Sequence, residues 1–152
     1  MPADLFKDFL ASDDTLRLYA GDVPVFTSKK EGLLPLMEYL AGRGATRTIT
    51  IYDKVMGNAA ALLSVKANAR EVYSPLGSEL AVQTLKKHSI KYNIDNIVPY
   101  IMRDDGKGMC PMEELSLGKG PEEFYQVMKG RIDKSATETK PYQKSGNTEN
   151  FK

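Results

Sequence analysis

The sequence predicts an α/β protein, a three-layer α/β/α sandwich around a mostly parallel five-stranded sheet with an N-terminal β-hairpin. The first observation is a series of short β-branched strands that alternate with helix-period segments from residue 28 onward. Strands joined by helices pair in parallel through right-handed crossovers. The second observation is a pair of strands separated only by Gly21-Asp22, which predicts a hairpin at one edge of the sheet.

The chain opens with a predicted short helix, which the hairpin follows. Leucine and phenylalanine recur at helical spacing over Leu5–Leu10. Thr15–Tyr19 alternates polar and apolar residues, as a strand with one buried face does, and Val23–Thr27 is the second strand. Pro24 lacks a backbone N–H, which indicates an edge strand or the start of a strand.

Two strand–helix pairs follow the hairpin. Ser28 and Glu31 have the spacing of a capping box and predict a helix start, after which the apolar residues of 33–40 form a buried face. The β-branched run Thr46–Tyr52 predicts the third strand, and an alanine-rich helix covers about 57–68.

The fourth strand is predicted to be short, Glu71–Tyr73. Ser74-Pro75-Leu76-Gly77-Ser78 is interpreted as the strand-to-helix turn that follows, with Ser78 as the N-cap of a helix over Glu79–His88. The fifth strand covers roughly Ile90–Ile94.

The C-terminal part is predicted to add two helices and a polar tail. A turn-rich loop, Arg103–Gly108, precedes them. Prolines at the first helical position favour helices over Pro111–Leu117 and Pro121–Ile132. Residues 1–133 are therefore assigned to one α/β domain, and the polar segment 134–152 to a tail that is disordered or only loosely attached.

Composition excludes several classes of function. The chain has 152 residues and a net charge of +1, which removes the electrostatic argument for nucleic acid or a membrane surface. His88 and Cys110 are the only histidine and cysteine, fewer than a zinc site of the usual His/Cys type requires, so no cofactor is predicted. A carboxylate-bound Mg²⁺ or Mn²⁺ stays open, although no acidic cluster has the spacing of a metal-binding loop. A single cysteine fits a reducing compartment, and the expected location is cytoplasmic.

The strongest candidate site lies where the third strand meets its helix. Asp53 and Lys54 end the strand, and Gly57 stands at the helix start. The carboxyl end of such a strand is where α/β sheets bind ligands, and backbone N–H groups of a helix start bind anions. Lys54 is assigned the anion contact, Asp53 a polar orienting role and Gly57 the close approach. The alternative is an ordinary ion pair at a polar strand end.

Two further segments are weaker candidates. Ser74 and Ser78 lie in the neighbouring strand-to-helix turn and are candidate ligand contacts, although capping alone explains Ser78. Cys110 precedes a predicted helix start, where a thiol can become a nucleophile, but the negative charge of Glu113 and Glu114 opposes a thiolate there. Packing or capping is the alternative for Cys110.

These motifs together resemble a known family. The segments that carry the resemblance are Asp53–Gly57, Ala59–Ala61, Ser78-Glu79, Val98–Ile101 and Cys110–Glu113. On them the chain is similar, over about residues 5–132, to a bacterial and archaeal family of unknown function whose structural relatives have a cytidine-deaminase-like fold.

The resemblance implies the fold without its zinc chemistry. Zinc deaminases carry His- or Cys-Ala-Glu at one helix start and Pro-Cys-x-x-Cys at the next. In this chain the matching positions are Lys30-Glu31-Gly32 and Asp53–Gly57, which lack such ligands, so no metal-bound hydroxide is available. The resemblance therefore implies a pocket at the same strand ends that includes Asp53, Lys54 and Glu31.

Three functions remain open from the sequence. The leading one is a metal-free module that binds a nucleotide-like or other anionic small molecule. The second is a zinc-independent enzyme that uses Asp53 or Cys110, which requires the loop 103–110 to fold back over the sheet. The third is an interaction protein whose hairpin edge pairs with a partner strand, and homo-oligomerisation is left open.

Overall fold

The computed structural model describes residues 2–43 and 47–144, with side chains over 4–42 and 47–133. These residues form five strands, β1 Leu16–Ala20, β2 Val23–Ser28, β3 Ile49–Asp53, β4 Ala69–Ser78 and β5 Lys91–Val98. The same described residues form six helices, α1 Pro2–Ala11, α2 Leu34–Arg43, α3 Asn58–Lys66, α4 Glu79–Lys87, α5 Pro111–Ser116 and α6 Pro121–Lys144. Thr46, the predicted start of the third strand, lies outside the described residues.

The sheet is mixed, and the prediction of a mostly parallel sheet is wrong. Its strand order is β2-β1-β3-β4-β5. β1 runs antiparallel to both of its neighbours, with Leu16 opposite Ser28 on one side and Asp53 on the other. Only β3, β4 and β5 pair in parallel. The hairpin places its first strand inside the sheet, so β2 and β3 point the same way but are separated by β1.

Helices cover both faces of the sheet unequally. Helices α2 to α6 lie on one face, over a core that includes Leu18, Ile51 and Val72. Central to this layer is α3, which is apolar and buried around its whole circumference from Ala59 to Leu63, as expected of a helix enclosed by neighbours.

Of the helices that the structure describes, only α1 lies on the opposite face. Its Phe9 is fully buried and packs on Tyr52, while Tyr19 meets Tyr52 edge to face. Tyr52 also stacks on Tyr73, with ring centroids 4.9 Å apart. The α/β sandwich therefore has one thick helical layer and one thin aromatic one.

Several predicted boundaries differ from the structure, among them the end of β5, which continues past Ile94 to Val98. Residues 74–78 continue β4 instead of forming a turn, because Gly77 packs tightly against Ile94 and Met56 and is not a turn glycine. No capping box forms at Ser28, which ends β2 and whose Oγ accepts from the backbone N–H of Lys30 at 3.1 Å. The last helix continues past Ile132 to Lys144. Within the described ranges, no helix is both long and apolar enough to cross a membrane.

Candidate functional site

A cavity of about 450 Å³ opens at the edge of the sheet where β2 and β3 end. Three chain segments form its walls: the β2–α2 connection, the β3–α3 connection and the stretch from Ile101 to Glu113. Its volume falls in the range of small-molecule sites. The predicted residues Glu31, Asp53, Lys54 and Gly57 all line it.

Asp53 is the carboxylate at the end of β3. It is only partly exposed, and burial raises its pKa to about 7, with the backbone N–H groups of Val55 and Lys54 partly opposing the shift. The Val55 N–H donates to Oδ1 at 3.3 Å. A carboxyl group with a pKa near neutrality in a cavity is suited to binding a donor or exchanging a proton.

Lys54 lines the cavity but its ammonium group points elsewhere. Nζ donates to the carbonyl of Ser12 at 3.0 Å and lies 4.8 Å from the ring centre of Phe9. The charge is therefore used to attach the end of α1 to the sheet. The predicted anion contact is not what the geometry of Lys54 provides.

The start of α3 already holds a carboxylate. Gly57 is the N-cap and offers no side-chain cap, and Oε1 of Glu113 accepts from the backbone N–H of Asn58 at 2.6 Å. Its Oε2 accepts from the N–H of Ile101 at 2.8 Å. Glu113 is 2% exposed, so the helix end where a ligand anion was expected is occupied by the protein's own charge.

Gly57 is required by this arrangement. A Cβ at position 57 would stand 3.0 Å from Oε1 of Glu113 and 3.1 Å from Cγ1 of Ile101. The close approach predicted for Gly57 exists, and it is made to Glu113.

A buried polar network continues behind Glu113. The Asn58 side chain donates to Oγ of Ser116 at 3.0 Å and accepts from the Thr84 hydroxyl. The Ser116 hydroxyl donates to the Glu113 carbonyl at 2.6 Å. This network joins α3, α4 and α5.

The loop 101–110 folds back over the sheet, as the enzyme hypothesis required. Met102 and Met109 form an isolated antiparallel β-bridge, and the Cys110 N–H donates to the Ile101 carbonyl at 2.8 Å. Cys110 thereby lines the same cavity as Asp53. Its predicted place ahead of a helix is confirmed, since it is the N-cap of α5.

The two candidate serines are placed elsewhere. Ser74 and Ser78 are both 0% exposed and do not contribute to the cavity lining. The Ser74 hydroxyl donates to the Leu76 carbonyl at 2.8 Å. Ser78 caps α4 by accepting from the Ala81 N–H at 3.0 Å, which confirms the predicted N-cap.

The titratable residues in the cavity lining are mostly acidic. Glu31, Asp53, Asp104 and Glu113 contribute carboxylates to its lining. Nearby cations are paired outward, Lys30 with Glu38 at 2.7 Å and Arg103 with Asp105 at 3.3 Å. Across the part of the chain that the structure describes, no three His, Cys, Asp or Glu side chains converge as a metal site would require.

Sequence reasoning missed Glu113 as a structural acid and did not anticipate Thr15 or Met102 in the lining. The signal for Glu113 was available in part, because a glycine N-cap leaves the first N–H groups of a buried helix without a local acceptor. A carboxylate 55 positions away in the chain supplies it, which no local pattern reveals.

The fold and cavity define an α/β-sandwich protein with a ligand-sized, acidic cavity at the ends of its strands. A family model described as a domain of unknown function (DUF1893) matches residues 5–132, and the chain belongs to that family. The chain is also similar to a crystal structure of a DUF1893 family protein from Thermotoga maritima. That similarity has 27% identity, a TM-score of 0.78, and coverage of 86% of this chain and 88% of that one. No curated protein matches the chain in sequence.

Proposed function

We propose that this protein binds a small neutral or cationic molecule in the cavity at Asp53, with hydrogen-bond donors of the ligand directed at the carboxylate. The observation that carries the proposal is the lining itself, which contains Glu31, Asp53 and Asp104, while the ammonium of Lys54 donates to the Ser12 carbonyl. An anionic ligand is disfavoured by the same charges, so the nucleotide-like ligand of the sequence hypothesis is revised to one without phosphate.

The apolar part of the lining favours a planar ligand. Leu33, Ile101, Met102 and Met112 surround the acidic groups with aliphatic and thioether surface, which packs well on flat rings. A heterocycle that carries amino groups, such as a nucleobase or nucleoside, combines a flat apolar body with donors for Asp53.

A charge series of otherwise similar ligands tests the proposal. Benzamidine, benzamide and benzoate share size and shape and differ in charge. Thermal unfolding of the protein at pH 8 should shift upward with benzamidine, less with benzamide and not with benzoate. A ligand at tenfold its dissociation constant stabilises by about 1.4 kcal/mol, a measurable shift. Adenosine and cytidine extend the series, with their monophosphates as anionic counterparts.

Two matched variants locate the binding. Asp53→Asn keeps the shape of the side chain and should abolish the benzamidine shift, while Asp105→Asn, outside the lining, should retain it. A benzoate shift that exceeds the benzamidine shift, or a benzamidine shift retained in Asp53→Asn, contradicts the proposal.

A second candidate, a zinc-independent enzyme, is favoured by one observation: Asp53 and Cys110 line one cavity. Asp53 would serve as base and Cys110 as nucleophile. The rate of Cys110 alkylation by iodoacetamide, measured from pH 5 to 9, tests this. An enzyme of this kind requires a rate that depends on Asp53 and decreases in Asp53→Asn, and identical rate profiles in both proteins contradict it.

We also propose that the chain has a cytidine-deaminase-like fold. It is supported by the motifs quoted above and by a five-stranded α/β sheet with the cavity at its strand ends. The single cysteine likewise supports a cytoplasmic setting.

A further inference from the structure

The two edges of the sheet differ in how well they are protected from pairing with another chain. β2, at one edge, contains Pro24, and its pairing with β1 is interrupted by a bulge between Leu18 and Tyr19. Proline and bulges are the usual devices that block edge pairing. The hairpin edge, the earlier candidate for a partner strand, is therefore the protected one.

β5, at the other edge of the sheet, has neither a proline nor a bulge. It has eight residues without proline, and its register on β4 continues without a shift from Lys91 opposite Glu71 to Val98 opposite Ser78. Among the strands that the structure describes, none pairs with its outer side. A long, regular and unpaired edge is a template for strand addition.

The side chains of β5 alternate in a pattern that is complementary to itself. Lys91, Asn93 and Asp95 are exposed on one face, while Tyr92 and Ile94 are half-buried against the main core on the other. In an antiparallel pair, residues directly opposite each other project on the same face.

We propose that β5 pairs with β5 of a second copy of this chain, antiparallel and centred on Asn93. In this register Lys91 lies opposite Asp95 of the second copy, and the two-fold axis repeats this ion pair. Tyr92 lies opposite Ile94 of the second copy, an aromatic–β-branched pair that is favourable across strands. The two sheets become one continuous ten-stranded sheet.

Neighbouring registers are less complementary. Centring the pair on Asp95 places two carboxylates directly opposite each other, which is destabilising. Centring it on Ile94 places Lys91 opposite the half-exposed, apolar Ile97. The charges on β5 therefore select Asn93 as the centre.

A charge-swap series tests both the partner and the register. Sedimentation velocity of the full chain over a range of concentrations should show a concentration-dependent dimer of the wild type. Asp95→Lys places like charges opposite each other and should weaken the dimer about tenfold or more. The double variant Lys91→Asp with Asp95→Lys restores opposite charges and should restore the dimer. Asp22→Lys, with the same charge change in the β1–β2 turn, should leave dimerisation unchanged.

The side chains changed on β5 are exposed, so the far-ultraviolet circular dichroism spectrum of each variant should match that of the wild type, which separates loss of fold from loss of pairing. A wild type that stays monomeric up to several hundred micromolar, about the weakest useful range for such a small interface, overturns the proposal. A dimer unaffected by Asp95→Lys, or one that Asp22→Lys disrupts, also overturns it. Failure of the double variant to dimerise overturns the Asn93 register.

Discussion

The Glu113 carboxylate lies 2.6 Å from the backbone nitrogen of Asn58 and caps the central helix from a distant part of the chain. Its second oxygen accepts a hydrogen bond from the backbone N–H of Ile101. Ile101 is the first residue of the cavity wall that continues to Cys110. One buried acid thus stabilises the start of α3 and positions the wall that encloses the cavity.

Removing this acid should destabilise the fold. Glu113→Ala leaves two backbone N–H groups without their acceptor, and each such loss costs about 1–3 kcal/mol when buried. We expect the free energy of unfolding to decrease by about 2–4 kcal/mol, measured by urea denaturation. Glu114→Ala, at the exposed neighbouring position, is the control and should change it by less than about 0.5 kcal/mol. Equal effects of the two variants would contradict the capping role.

The contact with Glu113 also explains Gly57. Gly57→Ala introduces a Cβ at 3.0 Å from Oε1 of Glu113 and should cost about 1–3 kcal/mol, as overpacking does. Gly130→Ala in α6, where a Cβ meets no atom within 4 Å, should be neutral or stabilising by up to about 1 kcal/mol. Calorimetric unfolding of both variants compares the signs, and a stabilising Gly57→Ala would disagree with the described contact.

The raised pKa of Asp53 should make the free energy of unfolding decrease as pH rises. Its pKa is about 7 in the folded protein and 3.8 in the reference state, so between these values the folded protein binds a proton that the unfolded chain releases. The resulting penalty is absent below pH 4, increases up to about pH 7 and is constant above it. It amounts to about 2–4 kcal/mol, at about 1.4 kcal/mol per pKa unit with a discount for solvent.

Asp53→Asn should remove this penalty. Relative to the wild type, the variant should gain stability between pH 5 and pH 8, in guanidinium titrations of both proteins at each pH. The comparison at equal pH cancels the opposite effect of Asp14, whose pKa is lowered by the side chains of Lys29 and Arg17. A wild-type-minus-variant difference that does not change with pH would show that Asp53 is not buried as described.

Lys54 should contribute to the stability of the fold and not to the binding of the ligand. Lys54→Met removes the hydrogen bond to Ser12 and the contact with Phe9 and should cost about 1–2 kcal/mol. The benzamidine-induced thermal shift should persist in the variant. Lys7→Met, on the exposed side of α1, is the matched control. Loss of ligand binding with unchanged stability would restore the anion-contact assignment.

The order of strands and helices was predictable because β-branched runs and helix periods alternate clearly along the chain. The direction of β1 relative to β3 was not inferred, although two signals contained it. Pro24 favours an edge position for β2, which places β1 inside the sheet, and the helical crossover from β2 to β3 makes those two strands parallel, so that β1 is antiparallel to both. The end of β4 was predicted too early, because Gly77 was interpreted as a turn residue. Tight packing also requires glycine, and that is its role here.

The sequence allowed the candidate residues to be chosen but not the direction of their side chains. Asp53, Lys54, Gly57, Glu31 and Cys110 were candidates from the sequence, and the fold brings them to one cavity. Position along the chain does not determine the direction of a long side chain, so the hydrogen bond from Lys54 to the Ser12 carbonyl could not be foreseen. Position along the chain also does not reveal that Glu113, from a distant segment, caps the start of α3.

The most direct test of the binding proposal is a carboxyl ¹³C titration of Asp53 by NMR, with and without saturating benzamidine. The account predicts a midpoint of about 7 in the free protein and a lower one with the ligand, because a bound cation favours the carboxylate. A midpoint that benzamidine leaves unchanged, or one already near 3.8 in the free protein, would contradict a cavity in which Asp53 recognises the ligand.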